Sequence, residues 1–247
     1  MIVTTDYVLV FSENIKQGVL FSQKDMVANF SNLFESLKKE SKSMGGQILN
    51  LEDQMNYFNS GDFEKIKGYE FQQQPCFVPL MPVEFADKYL IQELPNREMF
   101  VEMTVEYIRM LMEQLKSGMW TIMFTKDGIE NFIETGNIDE LPKGTYHEIE
   151  MADKKLLIRN LILACSSLNY RMMRQDAPIA KCRINLYTNA RKGCMMFKNV
   201  KNQMIWLTLD ENGILHAFND YLASLEESNF YTVEETVEIL KDILDRY

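Results

Sequence analysis

Two histidines and four cysteines are the residues of this 247-residue chain best suited to proton transfer or nucleophilic attack. His147 stands beside Glu148, and His216 lies on a helical stretch between Asp210 and Asp220. Either one would serve a hydrolase as general base only with a partner and a substrate within hydrogen-bond reach. A Cys–His nucleophile pair is possible by count, but nothing in the local sequence marks one. A surface histidine with an acidic neighbour is the reading adopted for both. The chain has no H-E-x-x-H, EF-hand or phosphate-loop pattern, and Gly45-Gly46 and Gly193 read as turn glycines. These observations imply no enzyme activity, no catalytic residue, no metal and no cofactor.

Charge is the stronger signal. Residues 154–201 hold eleven Lys/Arg and one acid, Asp176, within a chain of 26 basic and 36 acidic residues. Segregation of this kind attracts an anionic partner. Arg171, Arg174, Lys181, Arg183, Arg191 and Lys192 are the expected ligand-binding residues, with Tyr170 and Tyr187 among them as stacking surfaces. Lys181 and Arg183 share strand parity and should leave one face of a sheet together. The partner expected is an anionic ligand or a protein. Nucleic acid is a lesser candidate, because the net charge is −10 and no aromatic-rich RNA-binding pattern is present. A second function class uses the acidic remainder instead, as an interaction or inhibitor protein that covers a basic partner.

Composition places the chain among folded soluble domains, with 46% hydrophobic and 25% charged residues. No apolar run approaches a membrane span and no signal peptide opens the chain, so a cytoplasmic protein without membrane contact is expected. Cys76, Cys165, Cys182 and Cys194 lack CxxC spacing and are expected to be free and mostly buried. The 17 methionines suit an adaptable core or an apolar pocket, with core filling the preferred account.

The elements that must carry these residues follow from periodicity and punctuation. A strand is expected over 2–11. A helix capped by Ser22 should end before Gly45-Gly46, with Lys38, Lys39 and Lys42 near its C-terminus. A short helix over 47–58 should stop at Asn59-Ser60-Gly61, and the stretch punctuated by prolines at 75, 79, 82 and 95 reads as loop and short helix. Further helices are expected over 97–116, from Thr125 to Gly136, and over 152–170, with a loop at Pro142 and Gly144 between the last two. Strands over 119–125, 182–188, 193–198 and 203–209 are expected, the last three joined by turns at 189–192 and 199–202. Two helices close the chain, the second opened by a Thr232/Glu235 capping box.

The run FTKDGIENFIETGNIDELP (124–142), then LLIRNLILAC and NYRMMR, and the tail WLTLDENGILHAFNDYLASLEESNFYTVEETVEIL (206–240) resemble the region behind the DNA-binding domain of some bacterial helix-turn-helix transcriptional regulators. The resemblance covers roughly residues 97–245 and implies an effector-sensing module without chemistry of its own. The first 90 residues depart from such a regulator, since no second helix offers a basic recognition face. The fold expected is therefore α+β. Residues 1–95 would form a mostly helical N-terminal region. Residues 96–247 would form a regulatory or sensing domain whose C-terminal three-stranded antiparallel meander is flanked by helices.

Overall fold

The computed structural model describes residues 2–11, 17–41, 45–58, 66–141, 144–189, 191–198 and 204–247. The helix stop at Asn59-Ser60-Gly61, Lys42, Pro142 and the 199–202 turn with Lys201 lie outside them. The chain divides into two compact units, residues 1–44 and 45–247, whereas the sequence pattern suggests a divide at 95.

In the first unit the expected strand over 2–11 is two strands, β1 (Ile2–Val3) and β2 (Val8–Phe11). With β3 (Gly18–Phe21) they form an antiparallel sheet in the order β1-β2-β3. Helix α1 (Lys24–Glu40) follows, with Gln23 rather than Ser22 at its N-cap and no side-chain cap bond. Phe21 meets Phe30 of α1 with ring centroids 5.2 Å apart.

The second unit is built on a seven-stranded mixed sheet. Its strands, in chain order, are β4 (Gln47–Ile48), β5 (Gly68–Phe71), β6 (Trp120–Thr125), β7 (Tyr170–Met173), β8 (Ile184–Asn189), β9 (Gly193–Lys198) and β10 (Met204–Leu209). Their spatial order is β4-β10-β9-β8-β5-β6-β7. β5, β6 and β7 run parallel, and every other neighbouring pair is antiparallel. Parallel neighbours need crossover connections. Helices α3 (Glu84–Tyr89) and α4 (Arg97–Lys116) lie between β5 and β6, and α5 (Lys126–Thr135) and α6 (Met151–Ser167) lie between β6 and β7.

Alternation of side chains gives the sheet two apolar faces. Trp120, Ile122, Phe124, Tyr170, Met172 and Tyr187 belong to the larger core, with residues of α4, α5, α6 and α8 (Val233–Arg246). Tyr69, Phe71, Met123, Met173 and Leu186 face the other way, onto Leu215 and Leu222 of α7 (Asn212–Ala223). Helix α2 (Leu51–Phe58) adds Phe58 to the larger core.

The α+β class holds, but the expected layout does not. The first half of the chain is not simply helical, because β1 to β5 all lie within it. The closing strands β8, β9 and β10 do pair antiparallel in sequence order, but not as a separate meander; they lie between β4 and β5 in the seven-stranded sheet. β7 takes up Tyr170, which the sequence pattern puts in a helix over 152–170. Four-residue strands leave too few positions for a period of two to show, and their parallel partners are distant in sequence.

Candidate functional site

Three consecutive glutamines leave the carboxyl end of β5 and take different directions. The Gln73 amide donates to the Ala180 carbonyl at 3.0 Å and the Cys182 carbonyl at 2.7 Å. Its backbone N–H donates to Asn185 Oδ1 at 3.1 Å, tying β5 to the start of β8. Gln74 donates to the Asn137 carbonyl and accepts from the Asp139 N–H, each at 2.9 Å, which holds the 137–141 segment beside the sheet. Thr125 ends β6 and caps α5 by accepting from the Gly128 N–H at 3.2 Å, while its hydroxyl donates to the Gln73 carbonyl at 2.9 Å. A Cβ on Gly128 would stand 1.8 Å from that carbonyl oxygen, so only glycine permits the approach.

These contacts frame a groove at the carboxyl edge of the parallel strands, where open α/β sheets commonly take ligands. Gln73, Asn131, Asp139, Arg183, Asn185 and Lys198 line a depression of about 580 Å³. A second depression of about 450 Å³ shares Asp139, Lys198 and Met204 with it and reaches Tyr146 and His147. Such volumes suit a small ligand. Lys198 pairs with Asp139 at 3.3 Å, and Asp127 accepts from Gln175 at 2.9 Å. Arg183 is exposed and has no ion-pair partner among the described residues.

The six basic residues singled out by the sequence do not share one face. Arg171, on β7, pairs with Glu227, and its guanidinium lies 3.8 Å from the Phe230 ring centroid. Arg174 pairs with Glu235 at 3.0 Å and covers Tyr231 at 4.7 Å. Lys181 ends a 3-10 turn, Ile179–Lys181, and Arg183 precedes β8, so the two do not share strand parity. Lys192 covers Tyr57 at 4.8 Å, and it lies with exposed Arg191 in the β8–β9 turn. Six residues of strand separate Arg183 from that turn, about 20 Å at about 3.3 Å per residue. Lys154 points inward and donates to the Ile133 carbonyl at 2.7 Å.

Behind the groove lies a chamber that the sequence analysis misses. Glu70, Cys76 and Glu140 are all buried, and their Sγ and carboxylate oxygens lie within 4.8 Å of one another. Glu70 projects from the middle of β5 opposite Tyr187 on β8. The Gln72 amide donates to both carboxylates, at 3.1 Å for Glu140, and the Phe77 N–H donates to Glu140 at 3.2 Å. Aromatic rings seal the space: Phe58 meets Tyr107 and Tyr187 at 5.3 Å, and Trp120 stacks on Tyr187 at 4.5 Å. Met196 borders the chamber and the groove alike.

Burial, and then the neighbouring charge of Glu140, pushes the Glu70 carboxyl up to about 8. Burial also raises Glu140, and burial with the two carboxylates lifts the Cys76 thiol well above its ordinary value. Two carboxyl groups this close in a dry site do not both ionise readily. The sequence does carry one signal of the chamber: an acidic residue between Tyr69 and Phe71, in a run otherwise fit to be a buried strand.

Of the residues weighed for catalysis, His147 borders the groove and His216 is exposed on α7. Neither histidine side chain is hydrogen-bonded to a carboxylate or a thiol among the described residues. Cys182 is exposed and the other three thiols are buried, all four being free. No helix among the described residues is long and apolar enough to cross a membrane. Comparison with known proteins finds no matching family model, no similar curated protein and no similar solved structure.

Proposed function

We propose that this chain is a non-enzymatic regulatory or sensing protein that takes a small anionic ligand in the groove at the carboxyl edge of its sheet. The observation that carries this reading is Arg183. It is the exposed guanidinium of the groove, while Asp139 and Asp127 beside it are already engaged by Lys198 and Gln175. An unpaired guanidinium offers a carboxylate or phosphate two parallel hydrogen bonds. Gln73, Asn131 and Asn185 add neutral polar groups around it. A polyanion fits less well, since a net charge of −10 repels an extended phosphate chain. The resemblance of residues 97–245 to regulator effector regions points the same way. A cytoplasmic setting belongs to the proposal and is supported by four free thiols.

The two arginines at opposite ends of β8 supply the test. Thermal-shift screening against small carboxylates and phosphate esters should yield a stabilising ligand. Arg183→Glu should weaken it by about 100-fold, as loss of charge-assisted bonds plus repulsion requires. Arg191→Glu should change its affinity less than about twofold, given the distance along β8. Equal effects of the two substitutions would reject the groove as the site.

A further inference from the structure

We propose that the chamber behind the groove binds one divalent transition-metal ion of the zinc class, held by Glu70, Cys76 and Glu140 with a glutamine carbonyl oxygen as fourth ligand. This inference is independent of what the groove takes.

The donor atoms already converge. All three residues are buried, and their ligand atoms lie within 4.8 Å of one another. Bonds of about 2.0 to 2.3 Å in a tetrahedron set ligand atoms roughly 3.3 to 3.8 Å apart. Closing from the outer limit needs about 1 Å, which side-chain torsions supply. The void lined by Glu70, Glu140 and the two glutamines Gln54 and Gln72 measures about 10 Å³, on the order of one water-sized sphere.

Two glutamines give a separate indication. Gln54 and Gln72 line the chamber at 2% and 1% exposure, and the Oε1 atom of each has no hydrogen-bond partner among the described residues. Buried carbonyl oxygens are rarely left without a partner. Here two of them line the same space as two buried carboxyl groups. A cation is the species that satisfies such a set.

The ligand types select the ion. Calcium and magnesium prefer all-oxygen shells, and a thiolate beside carboxylates suits zinc or cobalt(II). Two carboxylates and a thiolate carry −3, which a divalent ion reduces to −1, with the Gln72 amide directed at both carboxylates. On binding, the Sγ–H proton and any proton held by the carboxyl pair pass to solvent, while the metal–sulfur and metal–oxygen bonds form. The path in from the groove runs past Met196, a flexible side chain bordering both spaces. The ion would join β5, Cys76 two residues before the turn Val78–Leu80, and the 137–141 segment. Asp139 and Glu140 are adjacent, so the ion would fix the wall that the groove shares.

The test uses the whole chain after chelator treatment, titrated with Co²⁺ for spectroscopy and Zn²⁺ for stability. One equivalent of Co²⁺ should give a thiolate-to-cobalt charge-transfer band in the near ultraviolet. Zn²⁺ at a hundredfold excess over its Kd should raise Tm by about 5 °C or more. Cys76→Ser should lose the band. Glu70→Gln keeps the shape and removes a buried charge, so it should fold at least as well as the parent by circular dichroism and yet lose the Zn²⁺ shift. Absence of band and shift in the parent, or an undiminished shift in folded Glu70→Gln, would overturn the site.

Discussion

Glu70 and Glu140 present their carboxyl groups to a single amide nitrogen, that of Gln72, inside a wall of aromatic rings. The Gln72 amide and the Phe77 N–H do not compensate two buried negative charges, so without metal the pair holds a proton well above the pH at which a solvated carboxyl loses it. Burial first, and Glu140 second, move Glu70 from 4.5 to about 8.

That shift dictates a stability profile for the chelator-treated protein. Between about 4.5 and 8 the folded chain keeps a proton that the unfolded chain releases. Stability therefore falls as pH rises through this window and levels off above it. Glu70→Gln should show a shallower slope, that of Glu140 alone, whose carboxyl is still raised by burial. Parent and variant should be alike near pH 4.5, and the variant should be more stable by roughly 2–4 kcal/mol near pH 8. Urea midpoints at three pH values in chelator decide the matter, and a parent of constant stability across the range would refute it.

The thiols should divide by burial. Burial pushes Cys165 and Cys194 up to about 12 and lifts Cys76 well above its usual value. Thiolate is the reactive form, so these three are protected twice, by access and by ionisation. Cys182 is exposed. A disulfide-exchange reagent at pH 8 should titrate one thiol rapidly in the native chain and all four in denaturant. Rapid native labelling of more than one would contradict the packing around β5 and β9.

Local grammar was legible in the sequence, and long-range pairing was not. Helix α4 appears over the expected residues 97–116, and α5 runs from its Thr125 cap to Gly136 at φ 69°. Those signals lie within a few residues of the elements they bound. β5 escaped because its four residues include a buried glutamate and its partners β6 and β8 are remote in sequence. The basic island misled for a related reason. Crowding along the chain says nothing about ends of strands, and β8 carries Arg183 and Arg191 to opposite edges of one sheet. Glu140 is not singled out, because nothing local distinguishes it from Asp139, its neighbour, which lines the groove.

The closing helix supplies a third prediction. In α8 the Thr232 hydroxyl accepts from the Glu235 N–H at 3.2 Å, and the Glu235 carboxylate accepts from the Thr232 N–H at 2.8 Å. Glu235 also holds Arg174 at 3.0 Å. Thr232→Ala should cost about 1 kcal/mol in chemical denaturation. The Thr232 N–H and then Arg174 hold the Glu235 carboxyl below its ordinary value. Its contribution is therefore present at neutral pH and lost as pH falls through the carboxylate range. The cost of Glu235→Gln should accordingly shrink toward pH 3, and a cost that grows on acidification would reverse the sign argued here.

Two glycines separate steric need from backbone need. At Gly128 a Cβ would lie 1.8 Å from the Gln73 carbonyl oxygen and 2.1 Å from its carbon. Neither is a flexible side-chain end, so Gly128→Ala must push α5 away from β5 at a cost of roughly 2–4 kcal/mol. Gly118 has φ 72° but nothing within 4 Å of a built Cβ, so Gly118→Ala should cost only about 1 kcal/mol, from backbone strain. Urea denaturation of both variants ranks them. Because Gln73 and Gly128 both border the groove, Gly128→Ala should also weaken a groove ligand, whereas Gly118→Ala should leave its affinity unchanged. A variant at 128 as stable as the parent would mean that α5 does not rest against the end of β5.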